Sequence, residues 1–171
     1  DYSLLRNLSP DGRMVLFDET SEGGGKLHSV YVRNTDGSAA VRLGDGTAWG
    51  LSPDGKWALA VQSHESNAPR VVLYPTGAGE TRVIATKLNV ETAAWMPNGQ
   101  QLVVVGPFTS QGSRVYLLDL SAREPHALAP DRLKGFLRPP DGRALLVGRP
   151  ERRLYLGPVA AYAPQDLTPL R

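Results

Sequence analysis

The chain has 171 residues, 41% of them hydrophobic, with 19 Lys and Arg against 17 Asp and Glu and no cysteine. That is enough chain for a real core and an ordinary globular composition. It excludes disulfides and thiolate metal sites, and no run of about 20 apolar residues offers a membrane-spanning helix. The charge is uneven. Residues 1–122 carry 10 basic and 12 acidic side chains, residues 123–171 carry 9 and 5. The basic end reads as a solvated rim or as a patch for an anionic partner; modest charge and few aromatics argue against nucleic acid. No signal peptide is legible, and a chain that opens at Asp1 reads as a processed or excised piece.

One turn signal recurs in chain order: Ser9-Pro10-Asp11-Gly12, Ser52-Pro53-Asp54-Gly55, Met96-Pro97-Asn98-Gly99 and Pro139-Pro140-Asp141-Gly142. The prolines stand 43, 44 and 43 residues apart. A period of about 40–45 residues with several short strands per unit predicts propeller blades. Asp-Gly and Asn-Gly tolerate the positive φ of tight hairpins, and the preceding proline ends a strand because it has no N–H to donate.

Each turn leads into a short apolar run: Met14 to Phe17, Trp57 to Val61, Leu102 to Val105 and Ala144 to Val147. These runs predict strands buried on both faces. After a variable loop comes a second run, Val30 to Val32, Val71 to Tyr74, Val115 to Leu118 and Leu154 to Leu156. A last short strand closes each unit near Val41, Val83, Ala127 and Leu167. The stretch from Leu88 to Trp95 lacks a 3.6-residue period and reads as loop, then strand. The prediction is an all-β propeller of four four-stranded antiparallel blades, over 1–43, 44–86, 87–129 and 130–171.

Few residues point to chemistry. His28, His64 and His126 match no zinc spacing. Gly50-Leu51-Ser52-Pro53-Asp54 falls short of a nucleophile elbow, and Gly23-Gly24-Gly25-Lys26 falls short of a phosphate loop. Asp18, Glu19 and Glu22 are read as one loop cluster, either a cation site or a solvated loop. No metal and no cofactor is expected.

The repeats resemble the Pro-Asp-Gly class of WD-like propeller repeats. Leu51-Ser52-Pro53-Asp54-Gly55-Lys56-Trp57 and Leu8-Ser9-Pro10-Asp11-Gly12-Arg13 are the best copies. That class includes the periplasmic TolB propeller, the gating propellers of prolyl oligopeptidases and propellers appended to bacterial Ser/Thr kinases; residues 18–51 look most like the last. The resemblance implies a non-enzymatic bacterial scaffold that binds a protein, peptide or small ligand as a sensor or interaction module, with an extracytoplasmic setting favoured. Its alternative is the accessory gating propeller of a hydrolase. The fourth copy departs from the pattern with Arg138 and Pro139 before its turn, and a charge there fits a channel or a blade end. On blade topology, one face collects the connections between blades and the loops after each second strand. The candidate binding residues there are Trp49, His64, Phe108, Arg132, Lys134, Arg149, Arg152 and Arg153, with Arg138 beside them. Four blades leave three arrangements open: part of a larger ring, a homodimer completing eight blades, or four blades closing alone.

Overall fold

The protein is described by a computed structural model over residues 3–20, 28–64, 67–86, 88–106, 113–121 and 125–128, and over the backbone of four strands between 136 and 169. No helix occurs among the described residues. The first sheet runs β1 (Ser3–Leu8), β2 (Met14–Glu19), β3 (Ser29–Asn34), β4 (Val41–Asp45). The second runs β5 (Thr47–Leu51), β6 (Trp57–His64), β7 (Asn67–Pro75), β8 (Arg82–Ile84). The third runs β9 (Thr92–Trp95), β10 (Gln101–Val105), β11 (Val115–Asp119), β12 (His126–Ala127). The fourth runs β13 (Phe136–Leu137), β14 (Ala144–Gly148), β15 (Leu154–Pro158), β16 (Thr168–Pro169). Every sheet is antiparallel and keeps chain order, so hairpins alone connect its strands.

The repeated turn is built the same way in its first two copies. Gly12 and Gly55 take φ of 72° and 71°, which a side chain would resist. The Ser9 hydroxyl donates to Asp11 at 2.6 Å and accepts the Met14 N–H at 2.8 Å. Ser52 repeats this with Asp54 at 2.6 Å and Trp57 at 2.9 Å. In the third copy Asn98 does the aspartate's work, accepting the N–H groups of Gln100 and Gln101 at 3.0 and 3.2 Å.

Two cores lie between sheets. Leu16, Val30 and Val32 of the first sheet pack against Ala48, Leu51, Ala58, Ala60 and Val72 of the second. Leu59, Val61, Val71 and Leu73, on the second sheet's other face, pack against Ala93, Trp95, Leu102, Val104 and Leu118 of the third. β6 and β10 are therefore buried on both faces, as expected. β2 is not: Val15 and Phe17 remain half-buried, because among the described residues no sheet packs on that side. Leu5 is 72% and Leu8 53% exposed there.

Polar contacts set the joint between the first two sheets. Asp18 is fully buried, ion-paired with Arg6 at 3.0 Å, and accepts the Ala48 N–H at 3.0 Å. The reading of Asp18, Glu19 and Glu22 as one loop cluster is thus corrected. Asp18 and Glu19 end β2, Asp18 is a structural tie, and Glu22 lies outside the described residues. Tyr74 of β7 donates to the Asp45 carbonyl at 2.8 Å and accepts from Gln62 at 2.8 Å. Its ring sits where a side chain on Gly44 would be, 2.4 Å from an ideal Cβ.

Gly44→Ala therefore forces backbone or ring to shift and should cost about 1–3 kcal/mol, read by urea unfolding. An unchanged midpoint would show that the joint is not packed as described. A second expectation concerns pH. The Ser9 and Ser52 hydroxyls hold the Asp11 and Asp54 carboxyls below the ordinary value of 3.8. Depressed carboxylates contribute stability above their ordinary value and lose it as pH falls through the folded one. Stability should therefore decline as pH drops below 3.8, and an Asp11→Asn, Asp54→Asn double variant should show a shallower acid decline. Identical acid limbs would refute the assignment.

Candidate functional site

The second sheet carries a cleft of about 590 Å³ at the end where the repeated turns lie. It is lined by Lys56 and Trp57, which follow the Ser52–Gly55 turn, and by the segment from Pro75 to Arg82. Turn and segment are tied together: the Thr76 hydroxyl donates to the Gly55 carbonyl at 2.7 Å, and the Thr76 N–H to the Lys56 carbonyl at 3.0 Å. Such ties hold a loop-built wall on a rigid sheet.

Three kinds of side chain meet in the cleft. Trp57 opens β6, with one side against the core and the other in the cleft. The Arg82 guanidinium lies 4.4 Å from the centre of its ring, a cation–π contact. Lys56 adds a second exposed cation and Glu80 an exposed carboxylate. The walls also offer backbone groups of a glycine-containing turn. This set can hold an extended peptide by its main chain and receive an acidic group between Lys56 and Arg82.

The same positions elsewhere lack this chemistry. The first sheet has Met14 and Val41 there, and the third has Gln101 and His126. The fold does not need a Trp–Arg pair at this place. From sequence alone Trp57 reads as part of a buried strand, and Arg82 carries no signal of its own. The signal was the departure of Trp57 from its repeat equivalents.

The residues singled out from sequence fall as follows. Trp49 lies inside β5 at a bulge between Ala48 and Gly50, packed against the core. Its indole N–H is buried without a hydrogen-bond partner. Arg6 holds the equivalent bulge of β1, where it pairs with Asp18. His64 ends β6 and pairs with Asn67 across the hairpin, the end opposite the cleft. Phe108, Arg132, Lys134, Arg138, Arg149, Arg152 and Arg153 lie outside the described residues. His126 is exposed in β12, and no three metal-ligating side chains converge among the described residues.

Arg82→Ala should cost about 0.5–1 kcal/mol at this exposed site and shift the Trp57 emission. Unaltered fluorescence would contradict the stacking.

No protein-family model matches the chain. No curated protein matches it by sequence. Solved structures do. TolB from Acinetobacter baumannii superposes with a TM-score of 0.72 at 20% identity, over 90% of this chain and 40% of that one. Pyrococcus horikoshii acylaminoacyl peptidase gives 0.69 at 13% identity, over 99% and 33%. The β-propeller domain of the Trilobed protease from Pyrococcus furiosus gives 0.66 at 14%, over 99% and 57%. The chain has the β-propeller fold of TolB-type repeats. It spans between about a third and three fifths of the length of these structures.

Proposed function

We propose that this chain is a non-enzymatic propeller module that binds a protein or peptide segment bearing a carboxylate. The observation that carries this reading is the Lys56, Trp57 and Arg82 cleft. It combines an aromatic surface, two cations and tethered backbone on one sheet, at positions the repeat does not require. His64, at the end of the second sheet opposite the cleft, marks a second candidate contact surface. The resemblance to TolB supports an extracytoplasmic setting and a place in an envelope protein complex.

The likeness to peptidase propellers favours a second reading, in which this module gates a hydrolase domain. That reading needs a Ser, His and Asp set contributed from elsewhere.

The test is fluorescence polarisation with labelled acidic and neutral peptides. Acidic peptides should bind better. Arg82→Ala should weaken them about tenfold or more, the worth of a charge-assisted hydrogen bond. Equal binding of both classes, or an unaltered affinity in Arg82→Ala, would overturn the cleft as the site. Arg152→Ala with Arg153→Ala tests the basic C-terminal stretch in the same assay.

A further inference from the structure

The first sheet presents an unpartnered apolar face, and the repeat shows what such a face packs against. Strand pairing places Leu5, Leu8, Val15, Phe17 and Tyr31 together on it, with the exposed Arg33 beside Val15. In the second sheet the same five positions are Ala48, Leu51, Ala58, Ala60 and Val72, all buried against the sheet before. In the third sheet, Trp95, Leu102 and Val104 hold the positions of Leu8, Val15 and Phe17 and are buried likewise. Leu51 is 7% and Trp95 4% exposed, whereas Leu8 is 53%. Phe17 and Tyr31 stack at 5.4 Å on the free face. A contiguous apolar surface of this kind marks an interaction site.

We propose that this face takes the fourth sheet of a second copy of the chain, in a joint that continues those already present. The covering sheets use Leu16, Val30 and Val32 in one joint and Leu59, Val71 and Leu73 in the next. In the fourth sheet, pairing puts Leu146 opposite Leu156 and Gly148 opposite Leu154. These are the positions of Leu16 and Val32, and of Asp18 and Val30, in the first. The sequence thus supplies three leucines for the covering role. The free face has Phe17 and Tyr31 where the second sheet has Ala60 and Val72, and Gly148 stands where other sheets have Asp18 or Val61. Charge agrees. Residues 3–45 carry five basic and six acidic side chains, residues 136–169 carry five and three. The contact is heterologous, first sheet to fourth, and two such contacts close a ring of eight sheets, within the range propellers use.

Multi-angle light scattering of the chain tests this. The expected mass is about 37 kDa, twice 18.5 kDa. Leu8→Glu puts a charge into the joint and should weaken dimerisation at least about tenfold, with the β-sheet circular dichroism retained. Leu156→Glu should do the same from the other side. Mixing the two variants restores one unaltered joint per pair, so a heterologous ring should partly recover its dimer and an isologous one should not. A monomer at all concentrations, a dimer indifferent to Leu8→Glu, or no recovery in the mixture would each overturn the proposal. If Leu156→Glu does not fold, the mass and the Leu8→Glu result decide.

Discussion

A four-stranded sheet with apolar residues on both faces has no stable existence alone. It is one layer, and a domain needs at least two to enclose a core. Here that need is met sideways, by stacking one sheet on the next. Leu16, Val30 and Val32 exclude water only because the second sheet lies against them, and the second sheet's far face depends in turn on the third. Stability in such an array is a sum over units and joints. The exposed face of the first sheet is the same chemistry without its joint.

Apolar packing has little direction, so polar ties set how the first two sheets meet. Asp18 spans three strands, its own, β1 through Arg6, and β5 through the Ala48 N–H. Burying that carboxylate is tolerable because these groups satisfy it. Tyr74 works from the other edge, its ring against Gly44 and its hydroxyl on the Asp45 carbonyl. Trp95 donates its indole N–H to the Gly50 carbonyl at 3.3 Å, one joint further on. The inner strands tolerate these different residues because their side chains lie between sheets and not in the hairpin ladder.

The chemically distinctive positions on this scaffold are those the repeat leaves free. The turns repeat because each must make the same hairpin. The cleft residues Trp57 and Arg82 do not repeat, since only the second sheet has them. The two ends of the second sheet thus differ: the repeated turn and the cleft lie at one, the β6–β7 hairpin end at the other. The cleft keeps its shape without help from the core, because Thr76 ties its loop wall to the turn.

The sequence by itself determined the architecture. Proline, Asp or Asn, and glycine at a fixed interval specify hairpin ends, and apolar runs between them specify strands. Both are local properties, so they are readable without a third dimension. The loop from Leu88 and the strand ending at Trp95 were legible for the same reason. Local signals could not say which faces find a partner. Met14 to Phe17 reads like Leu102 to Val105, yet one run is half-exposed and the other buried, because burial depends on the neighbouring sheet. Asp18 looked like a loop carboxylate because its partners Arg6 and Ala48 stand 12 and 30 residues away. The Trp57–Arg82 contact was hidden likewise, since it forms only when β6 and β8 flank β7 in one sheet. Tertiary structure decided these points because each is a meeting of residues distant in sequence, made by packing and not by local preference.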